Sequence, residues 1–121
     1  VLRAVVEGLA LELTRYLRLL THAGIPVRRL LMCGGAASSE VTPQIIADAT
    51  SVPVRCAARS EMSALGAAIL ARGLVEPSAS LTNLSESMTC EVRVFQPGPN
   101  SDLYSRMLHE YLGSLRPCTV L

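Results

Sequence analysis

Leu30-Leu31-Met32-Cys33 is an apolar run that stops abruptly at Gly34-Gly35, and no other feature of the chain narrows its possible folds so far. A short apolar segment cut off by paired glycines is how a buried strand of a parallel sheet looks where it runs into a tight turn. The small residues Ala36 to Ser39 follow, and then a stretch of helical composition, Pro43 to Thr50, with Ile45, Ile46 and Ala49 on one side and Asp48 on the other. Ser39 or Thr42 is suited to cap that helix, and Thr42-Pro43 fits a cap followed by proline at the first helical position.

The flanking segments continue the alternation. Leu2, Val5, Val6, Leu9, Leu13, Leu17 and Leu20 recur at steps of three and four and predict one amphipathic helix over 2–22, stopped by Ala23-Gly24 and Pro26. Val52 to Cys56 reads as a second short strand with Pro53 at its beginning or on an edge. Met62 to Arg72 is an alanine-rich helix ended by Gly73, and Glu76 to Glu91 is a polar loop or a poorly formed helix. Val92, Val94 and Phe95 form a short extended piece before the turn Pro97-Gly98-Pro99. A last helix, Asp102 to Leu115, has Leu103, Met107, Leu108, Tyr111 and Leu112 on its apolar face. Helix, strand, helix, strand, helix is the pattern of an α/β layer packed on a sheet.

With 121 residues, half of them hydrophobic, the chain has material for one packed core. A piece this short buries less of its surface than a larger domain, so the helix over 2–22 and the sheet face are expected to expose apolar area and the chain to be marginal or self-associating. A net charge of +1 provides no electrostatic footprint for nucleic acid or an anionic membrane. Uncharged runs such as Met62 to Ala71 fall far short of the roughly twenty residues a membrane helix needs. Cys33, Cys56, Cys90 and Cys118 lie too far apart for a CxxC pattern, so reduced, mostly buried thiols in a cytoplasmic protein are expected, and no metal site. Val1 already stands inside a helical pattern with neither an initiator methionine nor a cap before it, which reads as the interior of something longer.

Two units bear on chemistry. Gly34-Gly35 lets backbone come close to a ligand, and a helix start beyond it offers N–H groups and a positive dipole end suited to phosphate. The spacing matches neither GxGxxG nor a GxxxxGK[ST] loop, so on the residues alone a purely structural turn and an anion cradle both stand. A small dinucleotide-binding domain is disfavoured by that spacing and by the lack of a well-placed acidic residue for a ribose. The second unit, Ser60 to Ala68, has Ala64, Gly66, Ala67 and Ala68, which suit close packing against another backbone; Gly66 there costs about 1 kcal/mol of helix propensity relative to alanine. His22 and His109 lie on polar helix sides without a partner motif, and there is neither a Ser-His-Asp arrangement nor a carboxylate pair to act as a general base.

Taken in order, Arg3-Ala4-Val5-Val6-Glu7-Gly8, Cys33-Gly34-Gly35-Ala36 with Gln44-Ile45-Ile46-Ala47-Asp48, and Ser63 to Ala71 resemble the C-terminal domain of FGGY carbohydrate kinases, xylulokinase-like members being nearest in character. The agreement runs to about residue 75, and Phe95-Gln96-Pro97 with a Tyr-containing helix is similar to the family's tail. The resemblance implies an α/β piece of the C-terminal lobe of an actin-like ATPase (ribonuclease H-like) fold, with residues 1–75 as the core layer and 76–121 as tail and closing helix. It implies ATP and Mg2+ as cofactors, a sugar or polyol as substrate, and an N-terminal lobe of the same kinase as partner. That lobe carries the catalytic base and the magnesium-associated carboxylate, so this segment alone is expected to be inactive. Gly34 and Gly35 inherit contact with the nucleotide, and Ser39 stands where several relatives place a polar residue near the adenosine. Ala36 in place of a third glycine, Thr42-Pro43 in place of an aromatic, and Met62 in place of a small residue depart from the pattern. A non-catalytic, kinase-derived binding or scaffolding module is the alternative function.

Overall fold

The structure is a computed structural model and describes residues 2–57, 61–88 and 92–115. Its elements are α1 (Leu2–His22), β1 (Leu30–Met32), a 3₁₀ turn (Gly35–Ser38), α2 (Thr42–Thr50), β2 (Val54–Ala57), α3 (Met62–Val75), α4 (Leu81–Met88), β3 (Val92–Phe95) and α5 (Ser101–Ser114). The strands form one sheet in the order β1-β2-β3, with β1 parallel to β2 and β3 antiparallel to it. Pro53 sits just outside β2, where its missing N–H costs no ladder bond and its carbonyl accepts the Leu30 N–H at 2.9 Å.

α2 is the hub. Ala47 packs with Val54, Cys56 and Ala37, joined by Leu30, Met32 and Phe95 from the inner sheet face. One helix face further round, Ile45 and Ala49 pack with Ala10 of α1 and Tyr104 of α5. Ile46 touches both clusters. The other sheet face is open: Leu31, Arg55 and Val94, in register across the three strands, are all exposed, so β1 is not the fully buried strand its composition suggests.

The expected polar side of α2 is buried instead. Asp48, only 2% exposed, accepts hydrogen bonds at Oδ1 from Gln44 Nε2 and the Gly98 N–H, both at 2.7 Å, and at Oδ2 from Asn100 Nδ2 at 3.4 Å. Gln44 Nε2 also donates to the Gln96 carbonyl at 2.9 Å. Gly98 permits this approach, because a Cβ there would lie 3.2 Å from Asp48 Oδ1. The Pro97-Gly98-Pro99 turn is thereby locked onto α2.

α1 and α5 are clamped by two tyrosines: Tyr104 Oη donates to Glu7 at 3.0 Å and Tyr111 Oη to Glu12 at 2.8 Å. Arg3 and Arg15 complete each acidic group from α1 itself. The helix buries Ala10, Leu11 and Thr14, while Leu2, Val5 and Leu9 of the expected stripe are exposed, because the small Ala10 is what lets α1 approach α2. In α5 the buried residues are Tyr104 and Leu108, and Leu103 is exposed.

Two boundaries differ from expectation. α3 runs through Gly73 to Val75, since Gly73 lies against Leu81 and Leu84 of α4, and the polar stretch after Glu76 contains a true helix with Leu84 buried. α3 itself buries nothing, and Ala64, Ala67 and Ala68 are exposed, so the close packing those small residues suit is not made within the described chain. Of the two cysteines described, Cys56 is buried and Cys33 exposed; Cys90, Cys118 and Ser60 lie outside the described residues. Among the described residues no helix is long and apolar enough to cross a membrane.

Asp48→Ala is expected to destabilise the chain by on the order of 3 kcal/mol, since the Gly98 N–H and the Gln44 amide lose a charged acceptor in a buried site. Urea unfolding checks it, and a loss below about 1 kcal/mol would show that water replaces the carboxylate.

The Glu12 carboxyl is held down from the ordinary 4.5 to about 2, first by the Arg15 hydrogen bond and then by Tyr111. A depressed folded-state value contributes stability that is present above the ordinary value and disappears as pH falls through the folded one. The melting temperature of Glu12→Gln should therefore lie below wild type above pH 4.5, with the gap closing as pH falls toward about 2. A gap independent of pH would remove Glu12 from the acid response.

Candidate functional site

The turn after β1 has a built back and an open front. Gly34 adopts φ 80° and ψ −170°, a region essentially restricted to glycine, and this redirects the chain out of β1. Its carbonyl accepts the Ala37 N–H at 3.0 Å, and the Ala36 carbonyl accepts the Ser39 N–H at 3.3 Å.

Three contacts fix the back. The Ala37 methyl is buried in the sheet-side core. Arg93, on β3, donates from Nη2 to the Ala37 carbonyl and pairs through Nη1 with Glu40, and its guanidinium lies 5.6 Å from the centroid of the Phe95 ring. Ser39 Oγ accepts the Val41 and Thr42 N–H groups at 3.2 and 3.1 Å and so serves the start of α2. Neither capping candidate is the cap itself: that position is Val41, which makes no side-chain cap bond. Ser39 serves it from outside the helix, Thr42 is the first helical residue and Pro43 the second, one place later than expected. The leading amides of α2 are therefore partly occupied. The donors available to a ligand belong to the head of the 3₁₀ turn, at Gly35 and Ala36, where a helical turn provides no internal partner.

On the front, Gly35, Ala36 and Ser38 are exposed. Gly35 has an ordinary φ, and a Cβ built on it meets nothing within 4 Å, so nothing in this fold demands glycine there. Ala36 also borders an apolar cleft of about 310 Å³ between the turn and α1, lined by Val6, Leu9, Leu13, Met32 and Ile46. The arrangement offers backbone donors and a small, unobstructed surface, which suits an anion. Burial pushes the Cys56 thiol up, and no group of His, Cys, Asp or Glu suited to a metal occurs among the described residues. His22 and His109 are exposed, as expected.

Gly34, Gly35 and Ser39 thus fall on one turn, Gly34 shaping it, Gly35 facing outward and Ser39 tying it to α2. Arg93 and Asp48 were missed by the sequence reading. A signal for Arg93 was present, since it is two residues before the inward-facing Phe95 on a strand, a position where a charge requires a partner.

The fold is similar to those of solved sugar kinases. The fold superposes on xylulose kinase from Rhodospirillum rubrum with a TM-score of 0.73 at 24% identity, covering 92% of this chain and 23% of that one. Gluconate kinase from Lactobacillus acidophilus gives a TM-score of 0.73 at 22% identity over the same shares. Both establish the expected α/β fold of a C-terminal lobe. The model of the FGGY family of carbohydrate kinases, C-terminal domain, matches residues 1–72, and the chain belongs to that family. Related sequences include a ribulokinase from Mycolicibacterium smegmatis, 28% identical over 95% of the chain, and a glycerol kinase from Shewanella oneidensis, 34% identical over 90%. A xylulose kinase from Staphylococcus epidermidis is 29% identical over 90%. The chain spans 22% of the length of each of these three relatives.

The two glycines should respond oppositely to alanine. Gly34→Ala forces a side chain into a glycine-only region and is expected to cost about 1–3 kcal/mol. Gly35→Ala is expected to be neutral or to stabilise by up to about 1 kcal/mol, through the unfolded chain. Denaturant unfolding of both variants checks this, and equal losses would mean that Gly35 is also under backbone constraint.

Proposed function

We propose that this chain is the nucleotide-side segment of an ATP-dependent carbohydrate kinase, in which the Gly34–Ser39 turn meets ATP and the terminal phosphate passes to a sugar or polyol hydroxyl. The observation that carries the reading is Gly35. It lacks a side chain where the fold itself has room for one, on the exposed face of a turn held rigidly from behind. Family membership supplies the reaction class.

In this reading Gly35 and Ala36 present backbone amides to phosphate oxygens, and Gly34 sets their direction. Ser39 Oγ already accepts two amides, so it acts toward the nucleotide only by donating its own proton. Mg2+ neutralises phosphate charge when bound, and its protein ligands belong to a preceding N-terminal lobe, together with the general base and the sugar site. In-line transfer needs groups on both sides of the phosphate, so the segment by itself is inactive. A pentulose such as xylulose is the leading substrate; ribulose, glycerol and gluconate are the alternatives, since relatives and structural neighbours bear all four names.

In the complete kinase, Gly35→Val should weaken ATP binding by at least about tenfold while sugar binding is kept, because a branched side chain fills the approach. Ser39→Ala should cost about fivefold, the worth of one hydrogen bond of about 1 kcal/mol. Calorimetric titration with ATP and with D-xylulose, ribulose, glycerol and gluconate in turn, with circular dichroism to confirm folding, checks both. Unchanged ATP binding by folded Gly35→Val would withdraw Gly34, Gly35 and Ser39 from the nucleotide site.

A further inference from the structure

We infer that Arg93 is a positioning residue for the nucleotide-facing turn, holding its shape from a neighbouring strand without touching the nucleotide. The inference rests on the reading above that this turn meets ATP.

Arg93 stands opposite Cys56 in the β2–β3 register and stays on the inner side of the sheet, half-buried, beneath the turn. Its guanidinium lies over Phe95, and its two outer nitrogens diverge, one to the Ala37 carbonyl and one to Glu40. Carbonyls at the C-terminal end of a helical turn lack partners inside it, and a cation there also suits the local dipole. Arg93 provides that partner from 56 residues away in the chain. The planar fork of a guanidinium serves two acceptors at fixed angles, which a lysine ammonium cannot do.

The other supports of the turn are an apolar contact and a local hydrogen-bond link. The Ala37 methyl anchors one residue, and Ser39 links the turn to the helix that follows it. Arg93 gives the turn its hydrogen bond to β3, beside the packing of Phe95 in the same cluster as Ala37, and β3 is itself tied to α2 by the Asp48 carboxylate through Gly98. The front, by contrast, has no packing to hold it: Gly35, Ala36 and Ser38 are exposed. A ligand-facing backbone with a bare front depends on its back for pre-organisation. Between the two Arg93 contacts the carbonyl bond matters more, since the Glu40 side chain is 82% exposed and its ion pair is screened by solvent.

The test uses the complete kinase with ATP as the probe, in Arg93→Gln, Arg93→Lys and Glu40→Gln, and reads calorimetric affinity beside amide hydrogen exchange. Arg93→Gln is expected to weaken ATP binding by about tenfold, the scale of a lost charged hydrogen bond. It should quicken exchange at residues 35–39 while the amides of α2 keep their protection. Arg93→Lys should fall between wild type and the glutamine variant, and Glu40→Gln should stay within about twofold of wild type, as an exposed pair does. ATP binding within twofold of wild type in folded Arg93→Gln would overturn the inference, as would equal loss of protection in the turn and in α2, which marks general loosening. If the glutamine variant does not fold, the lysine variant decides: weakened ATP binding with exchange confined to the turn sustains the role, and wild-type affinity overturns it. Gly35→Val keeps the two levels apart. Where it leaves ATP binding intact the nucleotide reading itself fails, and where it abolishes binding while Arg93→Gln does not, only the positioning role fails.

Discussion

A carboxylate taken out of water must be given donors, and the Asp48 carboxylate takes them from a distant part of the chain. Of the three residues in Pro97-Gly98-Pro99 only Gly98 has an N–H, and that N–H points at Asp48 Oδ1. The flanking prolines limit the turn's conformations, and the glycine lets it come within contact of α2. Gln44, one helical turn before Asp48, binds both the carboxylate and the Gln96 carbonyl, so the approach is fixed at two points. From that junction β3 enters the sheet on one side and α5 begins on the other. Both the third strand and the helix that clamps α1 therefore depend on one buried acid.

The same junction reaches the candidate site. β3 delivers Arg93 beneath the glycine turn, and the turn is supported there on its inner side while its outer side stays bare. A turn stiff behind and open in front can hold backbone donors ready for an anion without reorganising on binding. The two glycines differ accordingly: Gly34 is needed for its φ, whereas the Cβ position of Gly35 opens onto free space.

The sequence made the elements around this site legible because local signals and tertiary packing agreed there. An apolar run into Gly34-Gly35 and a Ser-containing link to a proline-started helix each have a local cause, and the structure keeps both. Where packing overrides the local pattern, the reading failed in identifiable ways. Asp48 looked like a surface residue because its partners lie some fifty positions later. On α1 the apolar area expected to be exposed includes Leu2, Val5 and Leu9, while the small Ala10, which the periodicity did not single out, defines the approach to α2. The stretch after Glu76 reads as a loop or a poorly formed helix, and it contains a helix whose Leu84 is buried and whose Leu81 and Leu84 lie against the bare Gly73 of α3. For Arg93 the strand alternation places a charge on the inner face, but the partner that gives it meaning lies 56 residues away.

What the described residues leave exposed has its own logic. A parallel pair of strands is normally covered on both faces, and here Leu31 and Val94 flank Arg55 on a bare face. α3 shows its alanines to solvent, and α1 shows Leu2, Val5 and Leu9. Covering large apolar side chains yields about 1.5–3 kcal/mol each, so these surfaces hold a strong drive toward contact with more protein. The glycine turn holds no such drive, being small-residued and rich in backbone polar groups. In the proposed complete kinase the two kinds of surface take two kinds of partner: the apolar faces pack against the rest of the enzyme, and the turn at their margin stays free to meet the nucleotide.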